Sequence, residues 1–452
     1  MRVLGVGHHL ALGDLYLRLL ARGHEVRVFL ADPESDDILH GMVPRSVDWR
    51  DDLRWVREAT DLGVILFEGT GWGATQDELR QQGYHVFGSS EVGDRLELDR
   101  AYGQDVARQV GMQVADTFTF DSFDAALAFV HERPARYVLK YDGDTFAKTR
   151  NYVGALDNGL DMIAMLRLQQ AKWPVPEAPR FVLMQHVRGV EVGVGGFFDG
   201  ERFLSPVNLD WEHKGFFPGN LGELTGEMGT LVSYRGADKL FAATLGRVAP
   251  LLRASRYVGY INLNTIVNDE GVFPLEFTCR LGVPGYAILS ALHRDPWDVL
   301  LARVVTSDSR SFARDDALRH DGARGAPDFA TYEGFAVGVV LTVPPFPYPD
   351  GYDRLSKGAP IVLHGVDAEE LPHLHYGEVA REGDQLVTAG QIGYVMVVTG
   401  RGASVHEARR RTYALVDKII IPNLRYRRDI GEGYELRERD ELIRLGWLSH
   451  AR

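Results

Sequence analysis

The residues of this sequence best suited to chemistry lie in one short stretch between Pro274 and Pro284. Because side chains alternate between the two faces of a β-strand, every second residue of the stretch shares a face. One face carries residues typical of a core, namely Phe277, Cys279 and Leu281. The other carries a carboxylate, a hydroxyl and a guanidinium, namely Glu276, Thr278 and Arg280. A Mg²⁺–nucleotide needs hard oxygen ligands and a planar cation; an incidental ion pair on an exposed strand is the alternative.

The segment before this stretch predicts the other half of a β-hairpin. A strand is expected over 260–267, followed by a turn at 268–271. The sequence does not fix the register of the pair, so either Asn262 or Leu263 faces the same side as Glu276. Asn262 there would be a further metal ligand, whereas Leu263 would leave the metal with one protein carboxylate.

Length and composition limit the class of protein. With 452 residues the chain has room for about three domains. Its net charge of −13 argues against general binding of nucleic acids and favours small metabolites, with local basic pockets for phosphates. The single cysteine, Cys279, excludes an intrachain disulfide. No apolar run approaches the length of a membrane span, and polar residues interrupt the first apolar segment. We therefore expect a cytoplasmic protein.

The first ninety residues alternate strands with helices, which predicts a small parallel α/β sheet. Ligands of such sheets lie beyond the carboxyl ends of the strands. Those ends are the glycine-bearing loops at 7–13 and 68–73. In the first loop, His8 and His9 could bind an anionic substrate or cap the helix that follows.

Two lysines mark a candidate phosphate site farther along the chain. Lys140 ends a predicted strand, and Lys148 follows in the next loop. Lysines that bracket a turn in this way suit the α and β phosphates of a nucleotide, although each alone is more often a solvated charge. A strand over 181–187 then leads to Glu191, so its backbone could pair with adenine and the carboxylate could accept from ribose. Single helices are predicted over 94–110, 122–132, 157–171 and 237–254.

These motifs occur in the order found in ATP-grasp ligases. They comprise Tyr137–Lys148, Gln185–Glu191, the His213-Lys214 loop with Thr225–Gly229, and Glu276–Arg280. More closely, the chain resembles the glycinamide ribonucleotide synthetases, or phosphoribosylamine–glycine ligases, of purine biosynthesis. The C-terminal third adds to this resemblance with a strand over 335–341 and the ending Tyr426–Gly431.

The resemblance implies an α/β protein with three parts. These are an N-terminal parallel-sheet α/β domain (1–88), an ATP-grasp region (89–330) with a mobile nucleotide-binding subdomain (112–190), and a small C-terminal α+β domain (331–452). It also implies ATP and Mg²⁺ as cofactors. ATP would convert a carboxylate into an acyl phosphate, from which an amine displaces phosphate to form an amide. The expected partners are small amino acid and amine substrates, and the expected assembly is a monomer or small homo-oligomer.

The resemblance assigns roles residue by residue. Arg280 and Lys148 would be catalytic, acting on the transferred phosphoryl group. ATP would be bound by Lys140, Lys148, Gln185, Val187 and Glu191. The metal would be bound by Glu276, Thr278 and Asn262. The substrates would be bound by His8, His9, His213, Lys214, Gly226 and Arg427.

Several departures from the family bear on the substrate. The first loop lacks the arginine and glutamate of the family, and Val283 and Gly285 replace the acidic residues that follow Arg280. We therefore expect phosphoribosylamine to be a poor substrate and a different phosphate-bearing amine to do better, its phosphate held among arginines at 425–428. The alternatives are a diverged ligase for another, nucleotide-like amine and a catalytically silent nucleotide-binding protein.

Overall fold

The N-terminal part of the chain forms a parallel sheet whose two central strands are almost continuously buried. The computed structural model describes residues 1–141, 151–173, 179–306 and 327–449. The first strand lies between the second and the third, and every neighbouring pair is parallel. Unbroken burial is typical of parallel sheets that are covered on both faces, so the predicted sheet is confirmed. Its strands are Arg2–Gly7, Glu25–Leu30, Gly63–Phe67 and Val86–Phe87.

The helices near this sheet differ from the prediction at one point. Instead of one helix over 94–110 there are two, because Asp99 has an extended backbone and its carboxylate accepts from the Tyr102 amide at 3.0 Å. An N-cap of this kind ends one helix and starts the next. The prediction of a single helix is therefore wrong. The helices are Gly13–Ala21, Leu53–Arg57, Gly73–Gln81, Glu91–Leu98 and Arg100–Gln109.

A small antiparallel sheet with its own hydrophobic core follows. Phe123, Leu139 and Phe181 belong to this core, which the two helices of the segment close. The strand predicted to reach residue 187 ends at Gln185. The strands, in sheet order, are Thr117–Phe120, Phe181–Gln185, Tyr137–Tyr141 and Tyr152–Val153, and the helices are Phe123–Glu132 and Leu160–Lys172.

The largest element is an eight-stranded antiparallel sheet. Its strand Gly229–Ser233 pairs with Phe335–Thr342, so the sheet crosses the domain boundary predicted at residue 331. The division into three domains therefore remains a prediction, and the two parts share one sheet. In order, the strands are Gly271–Thr278, Val258–Asn268, Val190–Asp199, Asn208–Glu212, Gly229–Ser233, Phe335–Thr342, Tyr394–Gly402 and Leu374–Tyr376.

The helix predicted over 237–254 is interrupted. Thr244 has a non-helical backbone (φ −132°, ψ −99°), and its hydroxyl donates to the Leu240 carbonyl at 2.5 Å. Two short helices, Asp238–Ala243 and Ala249–Ala254, flank the break, so the prediction of one helix is wrong. Nothing in the described ranges is a helix long and apolar enough to span a membrane.

The remaining elements belong mainly to the C-terminal third. A hairpin of Gly215–Phe217 and Leu221–Leu224 projects from the large sheet. A further sheet comprises Val379–Glu382, Gln385–Thr388, Pro360–Leu363 and Ile419–Ile420. The other helices are Gly285–Leu292, Trp297–Val305, Tyr352–Leu355, Val405–Val416 and Arg439–Arg444, the last preceded by a π-helical turn at Tyr434–Glu438.

Candidate active site

Glu276 lies at the centre of a cluster of cations. Its carboxylate is 2.5 Å from Arg100 Nη1, 2.6 Å from Lys214 Nζ and 3.6 Å from Lys140 Nζ. Burial alone would raise the pKa of Glu276, but the three cations hold it well below its usual range. Glu276 is therefore ionised near neutral pH. The three cations form the positive wall that a polyphosphate requires.

A bulge sets the register of the hairpin that carries Glu276. Asn264 lies opposite Glu276, and the register shifts just beyond this pair. Gln104 supports the shifted strand, since its amide donates to the carbonyls of Pro274 at 3.1 Å and Leu275 at 3.2 Å. A bulge re-aims the side chains that follow it. In this register Glu276 lies opposite Asn264, and Thr278 lies opposite Asn262.

The register decides between the two alternatives left open by the sequence. Asn262 lies opposite Thr278, on the same face as Glu276, whereas Leu263 is fully buried in the core. Asn262 is itself buried, and its amide donates to Asp210 at 2.6 Å. It is not among the residues that line the cavity described below. Asn264, which was not predicted, is the asparagine nearest in register to Glu276.

Glycines on the intervening strand allow polar side chains to meet across it. Strand Val190–Asp199 lies between the strands that carry Glu212 and Asn264, yet the Asn264 amide reaches Glu212 at 2.8 Å. A Cβ on Gly193 would overlap the Asp210 carboxylate and lie 2.7 Å from Asn264 Oδ1. Because Gly193 has no side chain, the polar side chains of the two flanking strands have room to contact each other.

Lys214 joins three carboxylates. Its ammonium is 2.6 Å from Glu276, 3.2 Å from Glu212 and 3.4 Å from Glu191. Burial lowers the pKa of Lys214, but these carboxylates raise it well above its usual value. Lys214 therefore remains charged, and it balances the acidic side of the site.

The oxygen donors fit Mg²⁺ that arrives with a nucleotide. Glu276 and Asn264 supply hard oxygens on neighbouring strands, and Glu212 supplies another from beyond the intervening strand, with Thr278 beside Glu276 in its strand. Among the residues that the structure describes, no three His, Cys, Asp or Glu side chains lie close enough to hold a metal ion by themselves. Mg²⁺ commonly uses one or two protein carboxylates and takes its other ligands from phosphates and water.

Three of these residues, Glu276, Glu212 and Thr278, line a cavity of about 570 Å³. One end is apolar and the other carries the charged cluster, which is the arrangement that a base and its phosphates require. Arg280 lies at the charged end, where Glu97 accepts from it at 3.1 Å and also from the Cys279 amide at 2.7 Å. The apolar end is lined by Val138, Met165, Met184, Ile266 and Leu275.

Comparison with known proteins agrees with this geometry. The family model for the phosphoribosylglycinamide synthetase ATP-grasp (A) domain matches residues 98–286, and that for the C domain matches residues 336–433. A phosphoribosylamine–glycine ligase of Streptomyces coelicolor is 30% identical over 388 residues, which cover 83% of this chain and 84% of that one. The chain belongs to the phosphoribosylglycinamide synthetase family. It is an ADP-forming ATP-grasp ligase, and enzymes of this class use ATP with Mg²⁺.

Solved structures confirm the fold of the ligase. A phosphoribosylamine–glycine ligase of Thermotoga maritima superposes with a TM-score of 0.62 at 22% identity and covers 95% of this chain and 100% of that one. The biotin carboxylase domain of Hydrogenobacter thermophilus 2-oxoglutarate carboxylase, in complex with MgADP, ADP and bicarbonate, gives a TM-score of 0.61 at 10% identity. That match covers 94% of this chain and 91% of the other.

The cavity of the ligase brings together about half of the residues predicted from the sequence. Gln185 is exposed and Val187 packs in a small apolar cluster, so neither lines the cavity, although His186 between them does. Lys148 lies outside the described residues. The predicted residues that line the cavity are Lys140, Glu191, Lys214, Gly226, Glu276, Thr278 and Arg280.

The two histidines of the first loop lie elsewhere. His8 packs on Trp72, with ring centroids 5.5 Å apart, and accepts from its indole N–H at 3.2 Å. His9 is 3.2 Å from Asp32 and lines a second, smaller cavity. Neither histidine reaches the cation cluster.

Arg427 and His213 brace the hairpin beside the cavity and do not line it. Arg427 is buried and donates to Asp429 through two bonds of 2.8 and 2.6 Å. It also donates to the Gly215 carbonyl at 2.9 Å and to the Asn220 side chain at 2.7 Å. Burial lowers the pKa of His213 to about 4, so this histidine is neutral at pH 7. In this structure Arg427 therefore contacts Asp429, Gly215 and Asn220, and its predicted contact with a substrate stays a prediction.

Four site residues were missed by the sequence interpretation. Glu212 and Asn264 each lie two residues from a polar neighbour in a strand, so the two-residue period was the available signal. Arg100 and Glu97 lie on helices far from Glu276 in sequence, and no local pattern connects them with it.

Proposed function

We propose that this ligase uses Mg·ATP in the larger cavity to activate a carboxylate and then joins it to an amine. The observation that carries the proposal is the ionised Glu276 set among Arg100, Lys140 and Lys214 in the lining of the cavity. Such a cluster can accept phosphates on its cations and a divalent ion on its carboxylate.

The cations of the site position the phosphates. Lys140 and Arg100 contact one carboxylate oxygen of Glu276 and Lys214 contacts the other, and the three cations would contact the phosphate chain. Arg280 would contact the transferred phosphoryl group, and Glu97 fixes its guanidinium. Fixed charges of this kind need little reorganisation during phosphoryl transfer. Lys148 retains its proposed role at the phosphates on the strength of the family resemblance.

Glu276, Glu212 and Asn264 would hold Mg²⁺ together with phosphate oxygens. The ion would neutralise charge that develops on those oxygens. The MgADP in the H. thermophilus neighbour supports this assignment by similarity of fold. Met184 and Ile266 would contact the base, and Glu191 would accept from ribose hydroxyls at the cavity edge.

The reaction follows from this arrangement in two steps. A carboxylate oxygen of the first substrate attacks the γ-phosphorus and ADP leaves, which gives an acyl phosphate. The amine nitrogen then attacks the acyl carbon, phosphate leaves with the bonding electrons, and an amide remains. The chain binds and orients the reactants near one another, which supplies much of the rate enhancement in reactions of this type.

Phosphoribosylamine and glycine are the substrates in the names of the relatives, and we retain them as the first pair to test. Purification of the full-length protein and measurement of ADP release against the twenty amino acids, with and without phosphoribosylamine, would test the ligase. We expect ADP release to require both a carboxylate and an amine. ATP binding with no ADP release under any combination would exclude phosphoribosylamine as the acceptor, and the same result with phosphate-free amines as well would favour the silent nucleotide-binding alternative. A cytoplasmic location and a monomer or small homo-oligomer remain proposals.

A further inference from the structure

A second cavity of about 220 Å³ adjoins the charged end of the first. Gly282, two residues beyond Arg280, lines it, as does Tyr394. Glu227 lies between Gly226, which lines the larger cavity, and Met228, which packs in one apolar cluster with Tyr394. A substrate group in the second cavity therefore lies beside the phosphoryl-transfer end.

Three separate parts of the chain build the walls of this cavity. The first loop of the N-terminal sheet contributes one wall, the segment after Arg280 a second, and two C-terminal strands with their loop a third. Its volume exceeds the roughly 150 Å³ that accommodates a benzene ring, so a ring with a substituent fits. The apolar lining consists of Leu10, Ala11, Val283, Pro284, Ala287, Ile392 and Val397.

The charges of the second cavity are the reverse of those in the first. No Lys or Arg is among the described residues that line it, whereas Asp14 and Glu378 are. Arg18 lies behind Asp14, but its guanidinium is 2.6 Å from that carboxylate and donates to the Pro372 carbonyl at 2.9 Å. The positive charge of Arg18 is thus already paired with the carboxylate of Asp14.

Glu378 keeps its carboxylate at a fixed position in the wall. It accepts from the backbone amides of Gly393 at 2.6 Å and Tyr394 at 3.0 Å, and also from those of Gln391 and Ile392. The hydroxyl of Tyr394 is enclosed and has no hydrogen-bond partner among the described residues. The cavity therefore offers a fixed acidic group beside an apolar wall.

We propose that the second cavity binds the amine substrate and that this amine carries an apolar, ring-sized body and no phosphate. The inference rests on the proposed ligase function and specifies its acceptor. A phosphate in this cavity would lose its hydration beside Glu378 and would meet no lysine or arginine among the described lining residues, which is unfavourable. The two histidines of the wall already contact carboxylates, His9 that of Asp32 at 3.2 Å and His375 that of Asp14 at 2.8 Å. An uncharged or cationic group would contact the apolar lining and lie near the Glu378 carboxylate. The phosphate-bearing amine expected from the sequence has no support here, because Arg427 is committed to Asp429.

Matched amines that differ only in a phosphate test the proposal. Calorimetry on the full-length protein saturated with Mg·ATP would compare pyridoxamine with pyridoxamine 5′-phosphate, and tyramine with its O-phosphate. We expect the phosphate-free member of at least one pair to bind at least tenfold more tightly than its partner. Tighter binding of the phosphorylated members, or no binding of any of the four, would overturn the proposal.

Two variants test whether the amine binds in this cavity. Ala287→Leu fills the apolar wall and should weaken binding of the preferred amine at least tenfold without changing the affinity for Mg·ATP. Val283→Arg adds a cation to the partly exposed wall and should shift the preference towards the phosphorylated member. Unchanged amine binding in both variants, with melting temperatures near that of the native protein, would contradict the assignment. Failure of Mg·ATP itself to bind would instead count against the ligase function.

Discussion

At the scale of single residues, Glu276 balances charges that would otherwise repel one another. Arg100, Lys140 and Lys214 converge on it, and Lys214 also contacts Glu191 and Glu212. Burial lowers the pKa of Lys140, and the charges of the neighbouring Arg100 and Lys214 lower it further. The charge of Glu276 has the opposite effect and raises it. Removal of one carboxylate from such a cluster leaves buried cations without compensation.

Glu276→Gln should therefore remove the effect of Mg²⁺ on nucleotide binding. In the native protein we expect Mg²⁺ to increase the affinity for ATP, and we expect that increase to fall at least tenfold in the variant because a metal ligand is lost. Calorimetric titration with ATP, with and without Mg²⁺, measures both values. Glu270→Gln, at an exposed position in the hairpin turn, is the matched control. An unchanged Mg²⁺ effect in Glu276→Gln would place the metal elsewhere.

Glu68, buried beneath the first loop, should make stability depend on pH. Burial raises the pKa of Glu68 to about 7, although the Ala11 amide donates to it at 2.6 Å. The folded chain then binds a proton more tightly than the unfolded chain, so stability falls as pH rises from about 4.5 to 7. At about 1.4 kcal/mol per pKa unit, the loss is about 3 kcal/mol above pH 7.

Glu68→Gln should remove that loss. Its free energy of unfolding, relative to the native protein, should rise by about 3 kcal/mol between pH 4.5 and pH 8 because glutamine has no charge to bury. Urea unfolding of both proteins at the two pH values gives the comparison, and the exposed Glu34→Gln is the control. Parallel pH profiles for Glu68→Gln and the native protein would show that Glu68 ionises normally in the folded state.

Alternation along one strand was enough to find part of the site from sequence. Phe277, Cys279 and Leu281 are all nearly inaccessible, and the opposite face lines the cavity, as predicted. The contacts of Arg100 and Glu97 with that face were not predictable, since they depend on how two helices pack against the hairpin. Tertiary packing of this kind leaves no periodic signal in the chain.

At the scale of elements, the strand Val190–Asp199 separates two strands that carry polar side chains, and Gly193 leaves room for those side chains to meet. Gly193 lies between Asp210 and Asn264 in the two flanking strands. We expect Gly193→Ala to force those side chains apart, to cost about 1–3 kcal/mol by overpacking, and to weaken Mg·ATP binding. Thermal unfolding and calorimetry measure the two effects. Gly69→Ala, where an added Cβ meets nothing within 4 Å, is the control, and equal behaviour of the two variants would contradict the role of the gap.

The positions of most strands and helices followed from hydrophobic period, whereas their interruptions did not. The break at Thr244 depends on a hydroxyl that bonds a carbonyl within the same segment, and the break at Asp99 depends on a side-chain cap. The spacing of apolar residues around each of these positions is compatible with a continuous helix, so it does not reveal either break. The bulge next to Glu276 depends on Gln104, which lies about 170 residues earlier in the chain. The register was therefore open until the tertiary contact was known.

At the scale of the whole molecule, one sheet connects the nucleotide cavity with the C-terminal third. Phe335–Thr342 pairs with Gly229–Ser233, and Thr342 exchanges backbone bonds of 2.9 and 2.8 Å with Arg425. The segment that follows positions Asp429, which accepts from the Gly219 amide at 2.8 Å. The C-terminal third thus supports the hairpin beside the cavity through main-chain and side-chain contacts.

Arg427→Met tests whether that support is structural. Loss of the buried pair with Asp429 and of the contacts to Gly215 and Asn220 should cost about 3–5 kcal/mol. Urea unfolding measures the cost, and limited proteolysis should show faster cleavage within the hairpin at 215–224. Arg428→Met is the matched control, because its guanidinium is exposed and donates to the Tyr426 hydroxyl at 2.9 Å. Native stability in Arg427→Met, combined with lost turnover of a phosphate-bearing amine alone, would instead restore Arg427 as the substrate ligand that the sequence predicted.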